Sequence, residues 1–340
     1  MVKWAIVGIG DIARKRVLEA LATVPGSRIR VAVTAHPERA REICARYGVE
    51  HCSADLCAAL DDGEVNAVYI ATPVYLHAPQ ATASMRAGKH VLCEKPTALK
   101  YEEAAGMVRV AEECGVVFGV SFYRRMYPKL LRLARLIEEG VLGEVTYAWA
   151  AYHWWVAAED LAGRTWFVEP EKSGGGPLPD VGSHRIDALN FVFGPPASVT
   201  AVTGTQIHGY RVEDAATLLM EYQSGMRSVL DVRWNSRVER DEFRVIGTEG
   251  EADLTPLNGP ELRIRLAGRS WCEDLPAHRN LHYPMIENFV RAVLYGETLV
   301  SSGRSAIETD RVIAAAYRSA ESGARQKIWN AYVRGMNDQT

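Results

Sequence analysis

The chain has 340 residues, 48% of them apolar and 24% charged, and a net charge of −3. That length predicts two domains, and the ordinary composition predicts soluble globular ones. The slightly acidic balance, with no basic run, argues against nucleic acid as a partner, and no apolar run is long enough to span a bilayer.

The opening residues run from Met1 straight into a strand at Lys3 to Val7. With no leader ahead of that strand, a cytoplasmic protein is expected. The six cysteines, Cys44, Cys52, Cys57, Cys93, Cys114 and Cys272, lack paired metal spacing, so reduced thiols and no metal site are expected. Gly8-Ile9-Gly10-Asp11-Ile12-Ala13 follows the strand and opens a helix from Ile12 to Thr23. Gly8 permits the tight turn, and Gly10 lets the backbone approach a pyrophosphate at the helix N-terminus. Ala13 stands where a third glycine would serve close helix–strand packing. A plain glycine turn would look the same locally; the strand before it and the helix after it favour a dinucleotide.

The second strand, Arg28 to Val33, ends at Thr34-Ala35-His36-Pro37-Glu38-Arg39. No carboxylate stands at the tip to take a ribose 2′-hydroxyl, whereas the Thr34 hydroxyl and the Arg39 cation suit a 2′-phosphate. NADP is therefore expected rather than NAD. The alternation then continues with a helix over Arg39 to Tyr47, a strand over Val65 to Ala71 and a helix over Ala78 to Ala87. A strand at Val91 to Cys93, a helix at Tyr101 to Cys114 and a strand at Val116 to Val120 complete it. Such a pattern predicts a doubly wound parallel sheet. Thr72-Pro73 and Glu94-Lys95-Pro96 end two of its strands on the edge that carries the glycine loop, which puts Lys95 in reach of a ligand held there.

Beyond Tyr123-Arg124 the pattern changes. A helix is expected to Glu139, then an aromatic-rich strand over Glu144 to Trp155. Further strands are expected at Ser198 to His208, Ala215 to Tyr222, Met226 to Trp234, Glu242 to Ile246, Glu251 to Leu254 and Leu262 to Leu266. This predicts a large, mainly antiparallel sheet with an open face suited to a subunit interface. Helices are expected again at Tyr283 to Leu294 and Gly303 to Glu321. The expected fold class is α/β. A Rossmann domain occupies 1–122, and an α+β domain with an open, mainly antiparallel sheet for substrate binding and oligomerisation occupies 123–340.

Ser173-Gly174-Gly175-Gly176 leads into a helix from about Val181 to Phe193, where Asp180, His184 and Asp187 are spaced to share a face. A carboxylate one turn before a histidine can orient the imidazole for acid–base work. An N-cap aspartate beside a satisfied histidine would read the same way.

Three stretches together resemble the glucose–fructose oxidoreductase / inositol dehydrogenase / MocA family. They are Gly8 to Ala13, Ala87 through Glu94-Lys95-Pro96, and Gly174 through Asp180 to His184. The resemblance implies an NAD(P)-dependent sugar or polyol dehydrogenase or reductase, acting on a sugar, inositol or related polyol as a homodimer or homotetramer through the C-terminal sheet. It implies that Lys95 assists proton transfer, that His184 is the acid/base and that Asp180 is its partner. Where glucose–fructose oxidoreductase carries a tyrosine this chain has His184, which is similar to the histidine-bearing branch. The stretch Thr34 to Arg39 is similar to 1,5-anhydrofructose reductase, although Trp166-Phe167 stands where those enzymes carry Trp-Arg. The expected cofactor contacts are Gly8, Gly10, Asp11, Ile12, Ala13, Thr34, Arg39, Thr72, Pro73, His77, Glu94, Lys95 and Trp166. Tyr123, Arg124, His282 and Tyr283 are expected at the substrate. Two rivals are a non-catalytic NADP-sensing protein on the same scaffold and an NAD-dependent glycosidase. Retention of Lys95, Asp180 and His184 together opposes the first; the absence of an acid at Thr34 opposes the second.

Overall fold

The computed structural model describes residues 1–49 and 51–328, so the final residues of the expected second domain, 329–340, lie outside the described residues. The chain forms two compact units. One takes Met1–Tyr127, Glu171–Gly174 and His278–Ile307; the other takes Pro128–Pro170, Gly175–Ala277 and the chain from Glu308 onward.

The first unit is built on six strands: β1 (Val2–Val7), β2 (Ser27–Val33), β3 (His51–Ser53), β4 (Ala67–Ile70), β5 (His90–Cys93) and β6 (Phe118–Val120). They pair in parallel in the order β3-β2-β1-β4-β5-β6. This is the doubly wound order of a Rossmann sheet, with its switch point between β1 and β4. Helices α1 (Leu18–Thr23), α2 (Pro37–Arg46), α3 (Leu56–Asp61), α4 (His77–Arg86) and α5 (Tyr101–Cys114) connect the strands. Both sheet faces are covered, which is why the stretches 5–7, 31–33 and 91–93 at the carboxyl ends of β1, β2 and β5 are apolar and buried. Trp4, Ile6, Ile29, Tyr69 and Leu92 pack on one face, and Ala5, Val7, Val33, Ile70 and Val91 on the other. Burying each such aliphatic side chain contributes roughly 1.5–3 kcal/mol. The first helix is entered through a π turn at Ala13–Val17, and α2 starts at Pro37 rather than Arg39, with the proline at a first-turn position where its missing N–H costs nothing. Strand β3 and helix α3 were not expected. β3 is only three residues long and exists by pairing with β2.

In the second unit α6 (Pro128–Glu138) precedes β7 (Val145–Trp155), and a π turn at Leu178–Gly182 leads into α7 (Ser183–Phe193). Strands β8 (Ser198–Gly204), β9 (Ala215–Glu221), β10 (Arg227–Arg233), β11 (Asn235–Gly247), β12 (Gly250–Asp253), β13 (Glu261–Leu266), β14 (Arg269–Asp274) and β15 (Gln326–Lys327) follow. The nine strands lie in the order β14-β13-β12-β11-β7-β10-β9-β8-β15. Only β7 and β10 run parallel; the other pairs are antiparallel. Residues alternate between the faces: Val199, Ala201, Leu218, Met220, Leu230 and Val232 are buried, while Val202 and Leu219 remain exposed on the other face. β11 begins seven residues before the expected Glu242 because its first part pairs with the end of β7 across an irregular step. β14 and β15 were not expected.

The chain then re-enters the first unit at α8 (Tyr283–Tyr295), and α9 (Gly303–Ser322) follows. α8 covers the Trp4 face of the parallel sheet, where Phe289 lies 5.3 Å from Trp4 between ring centroids. Among the described residues no helix is long and apolar enough to cross a membrane.

Candidate active site

In the first unit the chemistry-bearing residues gather at the carboxyl ends of the parallel strands. Gly8 has φ +94°, and a Cβ on it would lie 2.6 Å from the Ala71 carbonyl oxygen and 2.8 Å from the Thr72 amide nitrogen. Only glycine lets the end of β1 turn this close to the end of β4. A Cβ on Gly10 would meet open space, so the loop leaves its outer side clear where the helix begins. Asp11 is exposed and pairs with Lys15 at 2.9 Å; Ile12 and Ala13 pack inward against the sheet. The loop, the helix behind it and the strand order fit a dinucleotide pyrophosphate at the switch point.

At the tip of β2 the Thr34 hydroxyl accepts from the His36 amide at 3.4 Å. Arg39 is exposed, with its guanidinium 3.8 Å from Glu38 and no carboxylate at the strand tip itself. Thr72 bonds Gln80 at 2.8 Å. His77 is buried between backbone groups: Nδ1 is 2.9 Å from the Pro96 oxygen and Nε2 is 2.9 Å from the Thr72 oxygen. It therefore braces the end of β4, next to Pro73, against the Lys95–Pro96 turn, whose peptide bond is cis. Burial holds its pKa below 6.5, against the two carbonyls that favour the charged ring.

Behind Lys95 lies a buried polar string. Tyr69, from the middle of β4, donates its hydroxyl to Glu94 Oε1 at 2.7 Å and lies 3.2 Å from Ser121 Oγ. His282 Nε2 lies 3.0 Å from the same Glu94 oxygen, and the Lys95 amide donates to Oε2 at 3.3 Å. Burial alone would raise the Glu94 carboxyl. The hydrogen bond and charge of His282, the Tyr69 hydroxyl and the Lys95 cation outweigh that and hold it below the usual range. An ionised carboxylate only accepts, so His282 Nε2 carries the proton of this bond. The His282 ring packs on Tyr123 at 4.7 Å, and the guanidiniums of Arg124 and Arg16 lie 4.9 and 5.7 Å from the Tyr123 ring centroid. Burial would raise the Tyr123 phenol, but Arg124, Arg16 and Lys95 together bring it below 10. Tyr283 instead stacks on His278, also at 4.7 Å.

In the second unit Asp180 lies in the π turn and His184 in the first turn of α7; in either helical geometry residues four apart stay near one face. His184 is buried, and the Asp180 carbonyl accepts from Ser183 at 3.0 Å. Asp187 points to α9, where the Thr309 hydroxyl lies 3.3 Å away. Trp166 meets Phe167 edge-on at 5.8 Å, and Phe167 stacks on Trp234 at 4.9 Å, so Phe167 fills an aromatic core. Among the described residues no group of His, Cys, Asp or Glu could hold a metal ion.

Sequence reasoning passed over Tyr69, Ser121, Arg16 and, in the second unit, Glu213, whose carboxylate accepts the Gly176 amide at 2.9 Å in the glycine run before Asp180. Tyr69 had a usable signal, a hydroxyl inside the otherwise apolar run Ala67-Val68-Tyr69-Ile70. Ser121, Arg16 and Glu213 had none, since each acquires its role from a partner distant in sequence.

Residues 2–122 match the family described as "Oxidoreductase family, NAD-binding Rossmann fold". Residues 130–253 match the "GFO/IDH/MocA C-terminal domain". The 1,5-anhydro-D-fructose reductase of Ensifer adhaerens is 32% identical over 252 residues, covering 74% of each chain. The D-xylose 1-dehydrogenase (NADP(+)) 2 of Haloferax volcanii is 29% identical over 335 residues, covering 96% of this chain and 99% of its own. A levoglucosan dehydrogenase in complex with NADH and levoglucosan shares the fold, with a TM-score of 0.89 over 97% of this chain and 100% of that one at 24% identity. This chain belongs to the GFO/IDH/MocA family of oxidoreductases, with an NAD-binding Rossmann domain at its N-terminus.

Proposed function

We propose that the protein is an NADP-preferring dehydrogenase or reductase that interconverts a secondary alcohol and a carbonyl on a sugar, inositol or related polyol. The observation that carries this reading is the position of Lys95. It leaves the carboxyl end of β5, beside the switch point that carries the Gly8–Gly10 turn, on a turn braced by His77 and backed by buried Glu94. The relatives named for a sugar reductase and an NADP(+)-linked sugar dehydrogenase support the class.

The Gly8 to Ala13 turn would hold the pyrophosphate, and Thr34 with Arg39 the 2′-phosphate. When bound, the nicotinamide accepts or supplies the hydride. Lys95, as a cation, stabilises negative charge on the reacting oxygen, which is where preorganised charge is worth most. His184 takes the hydroxyl proton or returns it, with Asp180 orienting its ring, in the roles the family resemblance gives them. Tyr123 and Arg124 line the substrate side of Lys95. The exposed face of the nine-stranded sheet joins copies of the chain.

Nicotinamide absorbance with NADP+ and NAD+ in parallel, against aldoses, anhydro-sugars, ketoses and inositols, tests the reading; reduced cofactors with carbonyl sugars cover the reverse direction. Turnover preferring NADP, cut by about 100-fold or more in Lys95→Met and in His184→Ala, is expected. Full turnover in Lys95→Met would remove the proposed role of that residue. Tight NADPH binding with no turnover on any sugar would replace the enzyme by a sensor.

A further inference from the structure

We propose that His282 and Glu94 are positioning residues. Glu94 holds the Lys95 backbone at the end of β5, and His282 both locks Glu94 and backs the ring of Tyr123. The inference rests on the reading of Lys95 as the residue that handles charge on the reacting oxygen.

Three observations carry it. Glu94 is almost fully buried, yet its carboxylate is kept ionised, and both oxygens are engaged: Oε1 by Tyr69 at 2.7 Å and His282 at 3.0 Å, Oε2 by the Lys95 amide at 3.3 Å. His282 is wholly buried, so it offers no surface to a sugar, although the residue lies 188 positions from Glu94 in the chain. Its Nδ1 has no hydrogen-bond partner among the described residues, so the polar contact it makes through the ring is the one to Glu94. A buried imidazole with a single polar contact and an aromatic neighbour does two separable jobs. Its N–H fixes the carboxylate, and its flat face fixes Tyr123 at 4.7 Å. Tyr123 in turn sits under the guanidiniums of Arg124 and Arg16. The pair therefore connects Lys95 and Tyr123, two of the residues of this unit proposed for the substrate side, without itself reaching the reacting carbon.

Two substitutions in the full-length protein separate the jobs. His282→Phe keeps a ring against Tyr123 and loses the N–H to Glu94. His282→Gln keeps an N–H donor and loses the ring. Competitive acetylation with acetic anhydride, read at Lys95 relative to exposed Lys100 by peptide mass spectrometry, reports the lysine; nitration by tetranitromethane reports Tyr123. In His282→Phe the relative labelling of Lys95 is expected to change by about tenfold, the size of a lost charge-assisted hydrogen bond, with Tyr123 nitration near wild type. In His282→Gln the pattern reverses. Wild-type labelling of both residues in both variants overturns the inference, as does an equal change of both residues in each variant, which a general loosening of the fold produces. If neither variant folds, Glu94→Gln replaces them, and unchanged Lys95 labelling there overturns it. None of these readouts needs a substrate. Turnover retained in Lys95→Met would defeat the functional reading whatever His282 does, whereas wild-type labelling in the His282 variants would defeat only the positioning role.

Discussion

The Tyr317 hydroxyl donates to Glu213 Oε1 at 2.9 Å while Glu213 Oε2 accepts the Gly176 amide, also at 2.9 Å. Oε1 takes the Leu178 amide as well, at 3.2 Å. One carboxylate thus ties α9 to the glycine run that precedes Asp180 and α7. The fit leaves no room for a side chain: a Cβ on Gly176 would lie 1.9 Å from the Glu213 carbonyl oxygen, and one on Gly175 would lie 2.0 Å from the Tyr317 hydroxyl.

Glu213→Ala should therefore cost about 3 kcal/mol in denaturant unfolding, because it strands two buried amides. Burial pushes the Glu213 carboxyl up, against the bonds from Gly176, Tyr317 and Leu178, so removing it also removes a buried acid. Gly176→Ala should destabilise by about 1–3 kcal/mol through forced backbone movement. A wild-type midpoint in both variants would show that the glycine run is held by something else.

Lys129 has a different consequence, in alkali. Its ammonium is buried and donates to the carbonyls of Leu254, at 2.8 Å, and Pro256. Burial lowers its pKa from 10.5 to about 8, against the charges of Asp241, Asp253 and Glu261. Between those two values the unfolded chain holds more protons than the folded one, so stability from this group rises with pH across the window. The gain is at most about 3 kcal/mol and is complete above the unfolded value. Chemical unfolding of wild type and Lys129→Met from pH about 8 to about 10.5 should show the rise only in wild type. Parallel pH profiles would refute the assignment.

Arg39→Ala should weaken NADPH binding by about tenfold or more, the worth of a charge-assisted contact to a phosphate, and leave NADH binding unchanged. Cofactor fluorescence titration measures both. Equal losses for the two cofactors would mean that Arg39 does not read the 2′-phosphate.

On the open sheet face Leu219 and Val202 are 40% and 72% exposed on neighbouring strands. If this face joins subunits, Leu219→Glu should shift the protein to monomers in sedimentation velocity, since a buried unpaired charge in an interface is costly. An unchanged sedimentation coefficient would move the interface elsewhere, and a monomeric wild type would remove it.

Much of the first unit was legible from local pattern. The strands β1, β4 and β5 are apolar apart from Lys3 and His90 because both faces of a parallel sheet are covered, and Gly8 had to be glycine where β1 turns against Ala71. Most of the antiparallel strands were legible from alternation, with ends misplaced by a few residues; β14 was missed because none of its six residues is buried, so it shows no apolar alternation. β3 and β15 were missed because segments of three and two residues carry no period and exist only through a neighbour that pairs with them.

What the sequence by itself determined is the kind of element at most places and the residues at the strand ends, Thr34, Thr72 and Lys95 among them. These depend on periodicity, glycine and chain direction, all of which are local. What only the tertiary structure decided is which distant residues meet. The return of α8 onto the first sheet, the seating of Glu213 under the glycine run and the contact of His282 with Glu94 have no sequence period, since each is selected by burial. A carboxylate shut away from water must find a donor, and packing, rather than spacing along the chain, determines which one reaches it.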